Sequence, residues 1–136
     1  MKKFLLMFTC SSFLIPISHA CSIASVSESY MQMLASYKSQ TATSFNVRCD
    51  RGYVIQFSSR NLQDKHGLSY VTNGAHRLRT RMSIIGAQGN LWNTPLSAKP
   101  AKNGQKYVVA VQLDEQPGLA IPSGNYTDEL YVNLLF

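Results

Sequence analysis

The closing stretch, Gly124-Asn-Tyr-Thr-Asp-Glu-Leu-Tyr-Val-Asn-Leu-Leu-Phe136, limits the possible folds more than any other part of the chain. It follows a turn, Pro122-Ser-Gly-Asn125, and then alternates. Tyr126, Leu130, Val132, Leu134 and Phe136 fall on one face, and Thr127, Glu129, Tyr131 and Asn133 on the other. Asp128 interrupts the apolar face and Leu135 the polar one. A period of two sustained over about ten residues is the mark of a half-buried strand. A long apolar strand that closes a chain must lie within a sheet or be completed by another strand, because an open edge templates aggregation. The expectation is therefore a β protein whose last strand needs a partner.

The other end reads as an export signal. Lys2 and Lys3 precede a mostly apolar run from Phe4 to Ile17, and Ser18-His19-Ala20 puts small residues at the two positions a signal peptidase reads. The run is too short to span a bilayer and no second one follows. Residues 1–20 are thus expected to be a cleaved signal peptide, and 21–136 one mature domain beginning at Cys21. A lipid-modified Cys21 is the competing reading, but Ser18 stands where such signals want a Leu-like residue. Cys10 leaves with the signal. Cys21 and Cys49 remain, and in a small exported domain a disulfide is their default. It would close a loop of about 28 residues and stabilise by roughly 3 kcal/mol.

Between these ends the chain reads as β almost throughout. Thr43–Cys49 alternates with Phe45, Val47 and Cys49 inward, and Tyr53–Ser58 with Tyr53, Ile55 and Phe57 on one face. Asp50-Arg-Gly52 between them is a turn, so the two read as a hairpin. Tyr30–Tyr37 is ambiguous between two helical turns and an irregular strand. Leu68–Thr72 runs into Asn73-Gly74, a hairpin signal. Arg77–Ile85 then alternates Leu78, Thr80, Met82 and Ile84 against Arg77, Arg79, Arg81 and Ser83. Thr94–Gly104 reads as a loop, Lys106–Leu113 as a strand and Asp114–Gly124 as a second loop. Six or seven short strands with no convincing helix give an all-β, antiparallel β-sandwich with an immunoglobulin-like look.

Few residues suggest chemistry. His66 and His76 lie in or beside loops, and no Gly-x-Ser-x-Gly elbow is present, so no catalytic residues are assigned. The carboxylates lack calcium-loop spacing, two cysteines without paired histidines do not build a metal site, and no phosphate-binding loop leads into a helix. No metal or cofactor is expected. The 13 Lys+Arg fall to 11 once Lys2 and Lys3 are removed, against 7 Asp+Glu, a net charge of +4. That is mild for a nucleic-acid binder, and neither nucleic acid nor stable membrane insertion is expected. Arg77, Arg79 and Arg81, two residues apart on one strand face, could meet an anionic surface. The plainer account is a solvated face that discourages edge pairing. Trp92 and Tyr53 could stack on sugars, but core packing is the commoner role. Asn125-Tyr-Thr127 matches a glycosylation sequon at a strand start and carries no weight.

Taken together, four features resemble the spore coat protein U domain, which also supplies subunits of archaic chaperone–usher pili. A cysteine opens the mature domain (Cys21). A second closes the alternating strand Ser44-Phe-Asn-Val-Arg-Cys49. Arg77 and Leu78 lead into Met82-Ser-Ile-Ile85, a Gly-rich turn and Trp92. The ending is Gly124-x-Tyr126-x-Asp128, followed by alternation to an aromatic residue.

The resemblance implies an immunoglobulin-like sandwich lacking its final strand and a non-enzymatic structural or adhesive surface subunit. A periplasmic chaperone would fill the groove beside the last strand, and another subunit's strand would replace it at an usher by β-strand addition. Tyr126, Leu130, Val132, Leu134 and Phe136 would line that groove, and Cys21–Cys49 would clamp the first strand to the second. The protein would pass through the periplasm to the cell surface or be secreted. One departure matters: family members that polymerise carry an alternating extension ahead of the first cysteine, and here the expected mature chain starts at Cys21. It would accept a donor strand without giving one, as suits a tip, minor or terminating subunit or a free coat protein. The Asp114–Gly124 loop could also fold back and complete the sheet. The alternative function is an exported binding module for an anionic glycan or other polyanion, using Arg77, Arg79 and Arg81 with Trp92.

Overall fold

The computed structural model describes residues 21–24, 31–36 and 38–136. Residues 1–20, expected to be the signal, residues 25–30 and Tyr37 lie outside them, so the Tyr30–Tyr37 stretch is described only from 31 to 36. Ten strands and no helix make up the described chain: β1 Ser22–Ala24, β2 Met31–Leu34, β3 Gln40–Cys49, β4 Tyr53–Ser59, β5 Leu68–Asn73, β6 His76–Ile85, β7 Leu96–Ala98, β8 Ala101–Leu113, β9 Asn125–Asp128 and β10 Leu130–Leu135. They form two antiparallel sheets. One has seven strands in the order β1-β3-β8-β6-β5-β9-β2, and the other has three in the order β10-β4-β7. The expected all-β, antiparallel sandwich is what the chain forms.

Its core follows from the alternation. Leu78, Thr80, Met82 and Ile84 of β6 are buried while Arg77, Arg79 and Arg81 between them are exposed. From β8, Tyr107, Val109, Val111 and Leu113 point inward. The three-stranded sheet sends Tyr53, Ile55 and Phe57 to meet them. Aromatic rings join the layers: the Phe57 centroid lies 6.1 Å from that of Phe45, 5.8 Å from Tyr107 and 6.1 Å from Trp92, the last edge to face. Such tilted and edge-on pairs suit the ring quadrupoles. Trp92 sits on no strand, yet its amide donates to the Lys65 carbonyl, and the Asn93 amide donates to that of Phe57. These bonds hold the indole, fully buried, over β4.

Three sequence expectations need correction. β3 and β4 are not a hairpin: they lie in different sheets, and Asp50-Arg-Gly52 is an arch across the core. Their inward faces look at each other, as the Phe45–Phe57 contact requires, where a hairpin would set them side by side. Thr94–Gly104 is not a loop throughout, since β7 pairs with β4 and β8 already begins at Ala101, opposite Cys49. The closing stretch is two strands, because the chain changes sheets at Glu129. The β5–β6 hairpin does form. Asn73 pairs with His76, which leaves Gly74 and Ala75 as the two loop residues, and Gly74 has φ 61°. Positive φ at the first loop position matches strand twist in a two-residue hairpin.

Candidate strand-accepting edge

The Gly-x-Tyr-x-Asp ending builds the corner from which the last strand leaves. Gly124 has φ 145°, and a Cβ there would sit 2.9 Å from Asn73 Nδ2, so only glycine fits without displacement. Tyr126 is wholly buried, and its hydroxyl donates to the Pro122 carbonyl at 2.8 Å. A tyrosine that bonds back to the chain a few residues upstream is also how immunoglobulin-type sandwiches fix the start of a late strand. Asp128, again buried, accepts from the Ser69 hydroxyl at 2.9 Å, the Glu129 amide at 2.8 Å and the Asn61 amide at 3.2 Å. Ser59 Oγ, on β4, lies 3.2 Å from Ser69 Oγ, on β5. The carboxylate therefore joins the two sheets at the point where the chain crosses between them.

The interruption that Asp128 makes in the apolar face is the signal for that crossing. A lone carboxylate at an inward position of a strand must find several donors, and a strand junction supplies spare backbone amides. Beyond it, the Arg60 amide donates to the Glu129 carbonyl and β10 begins.

β10 runs antiparallel to β4, from Leu130 opposite Ser59 to Leu135 opposite Val54. β4 is its one neighbour among the described residues, and its other side is a sheet edge. Leu130, Val132 and Leu134 face the core but are only half-buried. Tyr131, Leu135 and Phe136 are 44%, 62% and 56% exposed. Six edge residues at about 3.4 Å each give an open edge of roughly 20 Å.

Of the residues expected to line the groove, Leu130, Val132 and Leu134 flank this edge. Phe136 lies just past the strand. Tyr126 does not share the edge: β2 pairs with β9 from Asp128 to Asn125 and covers that half, and the ring is spent on the core. The Asp114–Gly124 loop does not complete the sheet, since β10 has no partner from it. It carries Ile121 against the core and leaves Leu119 fully exposed.

The disulfide joins Cys21 to Cys49 with Cα atoms 4.3 Å apart. β1 pairs alongside, Ser22 opposite Arg48 and Ala24 opposite Asn46, so the bond clamps the first described strand to β3.

The arginine stripe is partly engaged by neighbouring side chains. Arg79 Nε and Arg81 Nη2 lie 3.7 and 3.5 Å from Asp114 Oδ2, the Arg79 amide donates to Glu115, and the Arg77 guanidinium sits 4.7 Å over the Tyr70 ring. The rings of Trp92 and Tyr53 are packed in the core, so neither offers a flat face on which a sugar could stack. His66 belongs to an exposed loop cap: Asp64 Oδ1 accepts the His66 and Leu68 amides, and the Leu68 bond above all holds that carboxyl below its usual range. No group of three or more metal-ligating side chains occurs among the described residues, and no helix there is long and apolar enough to cross a membrane.

No family model matches the chain, and no curated protein matches it by sequence.

Proposed function

We propose that the protein is a non-enzymatic surface subunit, of the kind the spore coat protein U and archaic pilus family supplies, whose β10 edge accepts a strand from another protein. One observation carries this reading: the inward face of β10 is apolar yet half-covered, and its outer edge has no partner among the described residues. An added strand would satisfy the edge amides and carbonyls and lay alternate side chains over Leu130, Val132 and Leu134. The immunoglobulin-like pattern, with its final strand missing, is part of the proposal, supported by the Tyr126 corner and by β1 held to β3. A periplasmic chaperone would be the first occupant and a neighbouring subunit the second, after export through the signal segment. Binding of polyanions by Arg77, Arg79 and Arg81 has less support, because Asp114 already serves two of them.

Co-expression in the periplasm with a chaperone encoded beside it tests the proposal. The expected result is a one-to-one complex containing a chain that starts at Cys21 and is two hydrogens light. Val132→Asp and Leu134→Asp should abolish it and Arg79→Glu should not. A lone monomer that stays soluble on heating and captures no chaperone would overturn the reading.

A further inference from the structure

At the opposite edge of the three-stranded sheet from β10, beside β7, a cleft of about 200 Å³ opens between the layers. Tyr53 and Tyr107, both buried and hydrogen-bonded to each other through their hydroxyls, are among its lining residues. Ile55 and Pro100 contribute apolar walls, and the exposed Lys99 and Gln88 stand at the rim. No carboxylate lines the cleft.

The hydroxyl pair cannot satisfy itself. Each phenol has one proton, and a bond between two phenols uses one of the two. The second proton has no other acceptor on the described residues, in a setting where an unmade hydrogen bond is costly. Burial, and then the bond to Tyr53, raise the Tyr107 pKa well above the ordinary phenol value, so at neutral pH its oxygen keeps its proton. The cleft thus offers a buried O–H donor, an ammonium with no ion-pair partner among the described residues, amide groups and apolar walls. Its surplus is of donors and positive charge. Its volume equals roughly seven waters at ~30 Å³ each, below the ~300 Å³ where pockets for drug-sized ligands begin.

We infer that this cleft binds one acidic sugar residue, a hydroxylated ring bearing a carboxylate, with the carboxylate at Lys99 and a ring hydroxyl over the Tyr53–Tyr107 pair. The site is separate from both the arginine stripe and β10, and it stands whether or not β10 takes a donor strand.

Amide and side-chain NMR of the full mature chain, titrated with glucuronate, glucose and acetate, provides the test. Glucuronate should saturate shifts in 86–88 and 97–101, and glucose and acetate should each bind at least ~10-fold more weakly, the loss of about one charge-assisted contact. Lys99→Gln, at an exposed position, should weaken glucuronate about tenfold and leave glucose unchanged. The double change Tyr53→Phe, Tyr107→Phe should weaken both sugars, and its melting curve would report whether it still folds. Equal responses to glucuronate and acetate, an unaltered glucuronate titration in Lys99→Gln, or shifts confined to β6 and its arginines would each overturn the assignment.

Discussion

Asp128 is a buried acidic side chain with no ion pair among the described residues, and one hydroxyl and two amides donate to it. Alanine at this position removes every acceptor and leaves the Asn61 and Glu129 amides and the Ser69 hydroxyl without the bonds they make to the carboxyl. Asp128→Ala should therefore cost about 1–3 kcal/mol in urea unfolding, the penalty of buried groups left unmatched. Thr80 is the converse case. It is fully buried, and its hydroxyl has no hydrogen-bond partner among the described residues. Thr80→Val keeps the branched shape that β6 favours and deletes the orphaned hydroxyl, so the same measurement should register about 1 kcal/mol of added stability. The tyrosine pair adds a pH dependence. The folded-state pKa of Tyr107 lies above its unfolded value, chiefly through burial, so the unfolded chain gives up that proton first. Its contribution to stability is complete below pH ~10 and declines above it, by at most about 1.4 kcal/mol per pH unit for one proton. Tyr107→Phe should remove most of the alkaline decline. A weaker remainder is expected from Tyr131, whose hydrogen bond to Glu129 raises its pKa as well.

Elements were legible where two strand faces differ sharply. The inward residues of β6 are all buried and its three arginines all exposed, as period two requires. What periodicity leaves open is which sheet a strand joins. β3 and β4 have equally apolar inward faces, and a short polar turn serves a hairpin or an arch equally well; contact across the core between Phe45 and Phe57 decides for the arch. β7 was hidden because its three residues lie between Pro95 and Pro100, and proline ordinarily marks a break. Within the candidate site, the residues of β10 were readable, but Tyr126 was not separable from them, since the same parity continues through the crossing at Glu129. β1 leaves no alternation to read, because its described side chains are all exposed. Three exposed residues paired on one side have little packing to hold them, so the disulfide supplies much of what keeps β1 in place. Reduction, or the Cys21→Ser, Cys49→Ser double variant, should lower stability by roughly 3 kcal/mol for a closed loop of 28 residues. Amide exchange should speed up in β1 before β3, whose other edge remains paired with β8.

For the whole molecule, the two edges of the three-stranded sheet are not equivalent. β7 is three residues long and bounded by prolines, features that blunt an edge. β10 is twice as long, lacks lysine, arginine and proline, and carries Tyr131 and Leu135 outward. A molecule built this way should associate through β10 when no other strand occupies it. The weight-average mass of the purified mature chain, measured by light scattering, should therefore rise with concentration. Lysine on the outward face addresses the edge without entering the core, because Tyr131 and Leu135 already meet solvent. Tyr131→Lys with Leu135→Lys should suppress the association while moving unfolding stability by no more than about 0.5 kcal/mol per surface substitution, beyond the loss of the Tyr131–Glu129 bond. Charge at Arg79 offers a control, since the seven-stranded face already carries alternating arginines and Arg79→Gln should leave scattering unaltered. Scattering that persists in the double lysine variant would place the association elsewhere, with the fully exposed Leu119 of the 114–124 loop the first residue to test.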